Sequence, residues 1–143
     1  MFNRIIDVRE ENDYTQKKIA EILKVSGALV SQWEHEKEII SLIKLNEFAN
    51  YFDVSLDYLA GFSDIKKYKN SRNELDKSLI GKRVREVRKN NGLTIRDLAR
   101  ILNTSSSTIS GYETGKTLLL TSFAYEIAKR YNVSLDWLCG KID

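Results

Sequence analysis

An internal repeat constrains this chain more than any other feature of its sequence. Residues 4–61 align without a gap with residues 83–140, so that equivalent positions always lie 79 residues apart. Roughly a third of the aligned positions are identical, and the densest match joins Val54–Gly61 to Val133–Gly140. Because a solenoid needs three or more units, two copies at a constant offset indicate a tandem pair of domains.

Each copy predicts five short helices and no strand, so the expected fold class is all-α. The apolar residues recur at helical spacing, and the chain lacks proline altogether. Thr15 and Thr94 are placed to cap the second helix of each copy, and Ser26 and Ser105 are placed to cap the third. The sequence therefore predicts two tandem five-helix domains.

The expected domain boundaries follow from the repeat. We assign residues 1–61 to the first domain, 62–73 to a linker and 74–143 to the second domain. The linker is polar and basic, and about ten flexible residues would span at most about 35 Å. Ser71–Glu74 fits a capping box, which predicts that the first helix of the second domain starts there.

The charge is distributed unevenly along the chain, although the net charge is only +3. Residues 1–61 carry 7 Lys/Arg against 11 Asp/Glu, and residues 81–143 carry 11 against 6. A basic half suggests a nucleic-acid partner. No apolar run is long enough to span a membrane, and the single cysteine cannot form an intramolecular disulfide. We therefore expect a cytoplasmic protein with no membrane partner.

Several stretches in the two copies follow a known sequence pattern. They are Gly81–Arg88, Gly92–Thr94, Leu98–Ala99, Ser110–Lys116 and Val133–Asp136 in the second copy, and Arg9, Thr15–Gln16, Ile19–Ala20, Ser31–Glu34, Lys37 and Val54–Asp57 in the first. In these stretches both copies resemble the Cro/cI-type (XRE) helix-turn-helix family of bacterial and phage repressors. The resemblance implies two lambda-repressor-like DNA-binding domains, whose third helix reads base edges while the adjoining segments hold phosphates.

The family pattern implies a role for individual residues of this chain. The base-facing positions would be Gly27, Ala28, Ser31 and Gln32 in the first copy and Ser106, Ser107, Ser110 and Gly111 in the second. The phosphate contacts would come from Gln16, Lys37, Arg96, Lys116 and the backbone N–H of Ile95. Arg9 with Glu34, and Arg88 with Glu113, would form structural ion pairs.

The two copies differ where DNA contacts are expected. The first copy offers one long polar side chain, Gln32, which suits adenine, and it replaces the family's loop glycine by Glu36. The second copy keeps that glycine as Gly115, and its short serines can bond any base with little discrimination. We therefore expect the second copy to be the stronger DNA binder.

No arrangement of residues points to catalysis or to a cofactor. His35 is the only histidine and is interpreted as a solvent-facing loop residue, while Cys139 is interpreted as a small core residue. The serines of Ser105–Ser107 have no recognisable partner base. We expect no enzymatic activity, no metal, no cofactor and no small-molecule ligand.

The resulting hypothesis is a sequence-specific DNA-binding transcriptional regulator that acts as a repressor. Its partner would be double-stranded DNA, covered either by both domains of one chain at two half-sites or by a homodimer that uses mainly the second domain. The alternative is a protein-interaction module on a helix-turn-helix scaffold, such as an antitoxin or anti-repressor partner, with one domain unable to bind DNA.

Overall fold

Ten α-helices and no β-strand make up the computed structural model, which describes residues 1–143. They fall into two units, residues 1–69 (unit one) and residues 70–143 (unit two), with five helices in each. The all-α, tandem fold class is therefore confirmed. The helices of unit one are α1 Arg4–Glu11, α2 Gln16–Leu23, α3 Gly27–Glu34, α4 Leu42–Phe52 and α5 Leu56–Ala60. Those of unit two are α6 Lys77–Asn90, α7 Ile95–Ile101, α8 Ser106–Glu113, α9 Thr121–Arg130 and α10 Leu135–Leu138.

Side-chain caps explain where most helices begin. In both units the second helix is capped by a threonine, and the Thr15 and Thr94 hydroxyls accept the backbone N–H three residues on. Ser26 and Ser105 do the same for the third helix. Each cap satisfies one of the N–H groups that a helix start leaves without an internal partner. The predicted starts of these four helices are thus correct.

Each unit has a small core formed by the inward faces of its five helices. The largest fully buried side chains are aliphatic, apart from one phenylalanine. In unit one they are Ile19, Leu45, Phe48, Leu56 and Leu59, and in unit two Ile80, Leu98, Ile109, Leu119, Ile127, Leu135 and Leu138. None of the helices combines the length and the apolar character needed to cross a membrane.

An arginine on the first helix of each unit holds the end of the last helix. The Arg4 guanidinium donates to the carbonyl of Ser63 at 2.8 Å and lies 4.4 Å from the centre of the Tyr58 ring. Its counterpart in unit two, Arg83, donates to the carbonyl of Ile142 at 2.6 Å and lies 5.0 Å from the Trp137 ring. The repeat therefore preserves this contact in both units.

The segment between the repeats is largely held against its own unit, which differs from the flexible linker expected from sequence. The Ser55 hydroxyl donates to the carbonyl of Ile65 at 2.8 Å, and the Tyr68 hydroxyl donates to Asp57 at 2.8 Å. In unit two the backbone N–H of Arg72 donates to the carbonyl of Lys141 at 2.7 Å.

The first helix of unit two starts later than the capping box at Ser71–Glu74 predicts. Asp76 is the N-cap of α6, and its carboxylate accepts the N–H groups of Ser78 and Leu79. Arg72 lies before the helix, where its backbone N–H donates to the carbonyl of Lys141 and its side chain reaches the carbonyl of Gly140 and the carboxylate of Asp143. Contacts with a distant part of the chain thus override a local signal.

Candidate nucleic-acid interface

The second and third helices of each unit are joined by a tight turn. Lys24 in unit one and Asn103 in unit two adopt left-handed backbone conformations with φ of 57° and 55°. The next residue then donates its N–H back to the preceding helix, from Val25 to Ala20 at 3.0 Å and from Thr104 to Ala99 at 2.8 Å. The same turn in both units fixes α3 against α2 and α8 against α7, which is the arrangement of a helix-turn-helix.

A two-pronged ion pair joins the first and third helices of each unit. The Arg9 Nε and one terminal nitrogen lie 2.6 and 2.9 Å from the two carboxylate oxygens of Glu34. The corresponding distances from Arg88 to Glu113 are 2.7 and 3.0 Å. The remaining nitrogen of each arginine donates to a backbone carbonyl, that of Tyr14 or of Leu93. Each guanidinium therefore donates from all three of its nitrogens.

Both pairs are largely shielded from water. The Glu34 and Glu113 side chains are 3% and 6% exposed, and Arg9 and Arg88 are 14% and 10% exposed. The hydrogen bonds to the carboxylates raise the pKa of both arginines above the ordinary value, against the opposing effect of burial. These pairs hold the third helix in place and leave its opposite face free.

The outer face of α8 in unit two is made of short polar side chains. Ile109 and Tyr112 point into the core, while Ser106 and Ser107 are exposed and Ser110 is half-buried. The Ser107 hydroxyl lies 3.1 Å from the hydroxyl of the N-cap Ser105, whereas those of Ser106 and Ser110 have no partner within the chain. Two hydroxyls can therefore serve as both donors and acceptors toward an external group.

The outer face of α3 in unit one is less polar. Val30 and Trp33 point inward, Gly27, Ala28 and Gln32 are exposed, and Ser31 is half-buried. A Cβ added at Gly27 would meet no atom within 4 Å, so the surface is open there. Gln32 is the only one of these residues with a long hydrogen-bonding side chain. The predicted base-facing residues thus lie on one face in each unit, and their DNA contacts stay a prediction.

The cations expected to hold phosphate are exposed in unit two and are not engaged in ion pairs. Arg96 on α7 and Lys116 after α8 are both exposed, and Arg100 on α7 is a further exposed arginine. The half-buried Ile95 offers no polar side chain beside them. The loop from Thr114 to Leu120 contains no carboxylate. Unit two therefore combines a polar helix face with nearby free positive charge.

The corresponding region of unit one carries exposed carboxylates, and some of its side chains are already bonded within the unit. Gln16, a predicted phosphate contact, already donates to the Glu34 carboxylate at 2.9 Å, and its contact with phosphate stays a prediction. Lys37 is exposed, but it stands between the exposed carboxylates of Glu36 and Glu38. Glu36 also forms an ion pair with the amino group of Met1. The local charge around α3 is thus less favourable to phosphate.

Sequence reasoning did not single out Thr117, which lies at this surface as does its equivalent in unit one, Glu38. Their backbone N–H groups donate to the carbonyls of Gly111 and Gln32 at 3.2 and 3.3 Å, which brings both beside the third helix. Neither residue belongs to a motif. The repeat alignment could have drawn attention to both, because it pairs the carboxylate of Glu38 with the hydroxyl of Thr117 in the loop that follows the predicted base-facing helix.

Comparisons with known proteins agree with this geometry. A family model described as a helix-turn-helix matches residues 5–59, and one described as a helix-turn-helix domain matches residues 81–143. The HTH-type transcriptional regulator ImmR of Bacillus subtilis (strain 168) is 31% identical over 84 residues, which cover 59% of this chain and 61% of that protein. The chain thus spans about three-fifths of the length of this relative. No solved structure matches.

The fold and the paired turns define a protein with two helix-turn-helix domains in tandem. The two family matches fall on separate units and together span most of the chain. The chain belongs to the Cro/cI-type (XRE) helix-turn-helix family, as the resemblance of its repeats predicts.

Proposed function

We propose that this chain is a sequence-specific DNA-binding transcriptional regulator, which acts as a repressor and reads the major groove of double-stranded DNA with α8 of unit two. One observation carries the proposal: the helix-turn-helix whose α8 has free serine hydroxyls on its outer face also carries three exposed cations on α7 and in the loop after α8, Arg96, Arg100 and Lys116. No carboxylate interrupts the loop after α8. This combination suits a groove whose floor carries donors and acceptors and whose edges carry phosphates.

The two kinds of side chain have different tasks in this mechanism. The cations neutralise phosphates, which sets the affinity and makes it depend on salt. Ser106 and Ser110 contact base edges, where a hydroxyl can bond to several bases and therefore discriminates weakly. A repressor needs only to occupy its operator and exclude other proteins, and neither task requires a catalytic group.

Selection of bound duplexes from a random DNA pool tests the proposal, followed by gel retardation of the selected duplex at several salt concentrations. We expect the affinity to fall steeply with salt, and Lys116→Ala to reduce the log–log slope by about 1 for one lost phosphate contact. Lys129→Ala removes the same charge from α9, outside the helix-turn-helix, and should leave the slope nearly unchanged.

The outcome of the selection also addresses stoichiometry. One half-site per chain favours a homodimer that uses mainly unit two, and two half-sites per chain favour binding by both units. Recovery of no enriched sequence, with a salt slope near zero for every duplex, would contradict the proposal.

The second candidate function is a protein-interaction module, and one feature of unit one favours it. Ile39 and Ile43 are 49% and 53% exposed, and Ile39 borders a cavity of about 270 Å³ whose rim carries Glu36 and Glu38. By charge, such a surface suits a basic segment of a partner protein with an apolar anchor. Under this function the chain would show no salt-dependent DNA binding, which the same titration measures.

A further inference from the structure

The residue that follows the loop lysine occupies the same place in both units, and we call it the post-helix position. It is Glu38 in unit one and Thr117 in unit two, and both residues are exposed. The N–H of Glu38 donates to the carbonyl of Gln32 at 3.3 Å, and that of Thr117 to the carbonyl of Gly111 at 3.2 Å. The two backbones are therefore anchored alike, and the side chains differ in chemistry rather than in position.

In unit two the Thr117 side chain lies beside Gly111, the one position on the outer face of α8 that has no side chain. A Cβ added at Gly111 would lie 3.0 Å from the Oγ1 of Thr117, so that hydroxyl borders the space that a side chain at position 111 would enter. The Thr117 hydroxyl has no hydrogen-bond partner within the chain. The outer face of α8 thus gains a third free hydroxyl, beside those of Ser106 and Ser110.

In unit one the same position carries a negative charge. The Glu38 carboxylate forms no ion pair within the chain. The backbone of Glu38 is bonded to that of Gln32, which has the one long polar side chain on the outer face of α3. DNA brings about one phosphate charge per 1.7 Å of its axis to any surface that enters its groove. The phosphates would therefore repel the unneutralised Glu38 carboxylate whenever Gln32 approached a base.

We infer that the post-helix position determines which unit engages DNA: Thr117 adds a hydroxyl contact to DNA in unit two, and Glu38 excludes unit one from DNA by charge. This inference rests on the proposed function and adds a residue that controls it. Both residues are exposed and neither side chain forms a hydrogen bond or an ion pair within the chain, so their exchange breaks no such contact.

The experiment exchanges the two residues in the full-length chain and measures binding to the selected duplex and to a mixed-sequence 30-bp duplex. Thr117→Glu should weaken binding about tenfold or more, because it places like charges together at the contact. Thr117→Val, which removes only the hydroxyl, should weaken binding by roughly threefold to tenfold, as expected for one lost hydrogen bond. Thr117→Ser keeps the hydroxyl and should stay within about twofold of the parent.

Glu38→Thr should have the opposite effect. We expect the affinity for the mixed-sequence duplex at low salt to rise about threefold or more, since removal of one of the two carboxylates beside Lys37 lessens the repulsion of phosphate. The protected region in a hydroxyl-radical footprint should lengthen as unit one joins the contact.

The chain offers a matched control pair at another equivalent position, near the end of the first helix. Glu11 and Asn90 are both exposed and form no ion pair, so Glu11→Asn and Asn90→Glu change the charge of each unit by the same amount as the test variants do. If the control pair shifts the affinity as far as Glu38→Thr and Thr117→Glu, net charge explains the result and the inference is wrong.

Failure of this inference is distinguishable from failure of the proposed function. If the parent chain binds no duplex, the proposed function fails and the inference falls with it. If the parent chain binds DNA and Thr117→Val binds as tightly as Thr117→Ser, the hydroxyl contact is refuted. If Glu38→Thr leaves both the affinity and the footprint unchanged, the exclusion of unit one by Glu38 is refuted.

Discussion

Unit one and unit two keep the same buried arginine–glutamate ion pair but differ in their exposed charges. The pairs Arg9–Glu34 and Arg88–Glu113 have nearly equal geometry, with Nε to oxygen distances of 2.6 and 2.7 Å. On the surface, by contrast, Glu36 corresponds to Gly115 and Glu38 to Thr117. A buried charge cannot change without stranding its partner, whereas an exposed charge changes at little cost to the fold. The scaffold is therefore preserved while the surface of each unit is free to specialise.

The largest loss of stability in both units should come from breaking the buried ion pairs. Glu113→Ala should destabilise unit two by about 3–5 kcal/mol, because it leaves the Arg88 guanidinium buried without its partner. Glu34→Ala should cost unit one about 1 kcal/mol more, since Gln16 also loses a hydrogen bond to that carboxylate. Amide hydrogen exchange of the full chain, resolved to each unit, measures both losses.

Two exposed glutamates at equivalent positions on the fourth helices serve as controls. Glu47 pairs with Lys44 at 3.0 Å and Glu126 with Arg130 at 3.3 Å, and each is well exposed. Their replacement by alanine should change stability by about 0.5 kcal/mol or less. Equal losses of stability for the buried and the exposed glutamates would show that neither buried ion pair stabilises its own unit.

The next largest effect concerns how closely the first and third helices approach in unit two. A Cβ at Gly81 would lie 2.3 Å from the carbonyl oxygen of Tyr112 and 2.7 Å from that of Glu113. Both are backbone atoms, so Gly81→Ala should destabilise unit two by about 1–3 kcal/mol. The equivalent residue of unit one is Phe2, which precedes α1, so this close approach belongs to unit two alone.

Gly27→Ala is the matched control, because its added Cβ would meet no atom within 4 Å. In α3 this substitution should be neutral or stabilising by up to about 1 kcal/mol, as alanine favours helix more than glycine does. Thermal unfolding of the full chain, followed by hydrogen exchange in each unit, tests the contrast. A Gly81→Ala variant as stable as the parent would mean that α6 can move away from α8 without loss.

The features that the sequence predicts correctly are local or repeated. A threonine or serine before an amphipathic stretch marks a helix start on its own, as Thr15, Ser26 and their counterparts do. The pattern of buried apolar residues also repeats, so that each unit supports the interpretation of the other. The helix-turn-helix pairs, and the face that each third helix turns outward, follow from these local signals.

The features that the sequence does not predict depend on contacts between distant residues. Nothing near Arg72 indicates that its side chain reaches Gly140 and Asp143, or that α6 starts only after Asp76. Likewise, Gln16 has the right position for a phosphate contact, but only the folded unit brings it within 2.9 Å of Glu34. The repeat alignment pairs Glu38 with Thr117, but the place of both beside the third helix depends on the loop folding back onto the carbonyls of Gln32 and Gly111.

The smallest expected effect is a pH dependence confined to unit two. Asp97 completes a capping box at α7, where its carboxylate accepts the N–H of Thr94, and the hydrogen bonds from Thr94 lower its pKa below the ordinary value. The equivalent residue of unit one is Lys18, which cannot close such a box. Because the folded pKa lies below the unfolded one, Asp97 stabilises unit two fully above about pH 4 and loses this effect as the pH falls through the folded pKa.

Asp97→Asn should therefore lower the stability of unit two at pH 6, and the difference from the parent should shrink toward pH 2 while unit one stays unaffected. Hydrogen exchange or thermal unfolding at several pH values measures the difference, and a difference that is constant with pH would show that the carboxylate charge has no part in the cap.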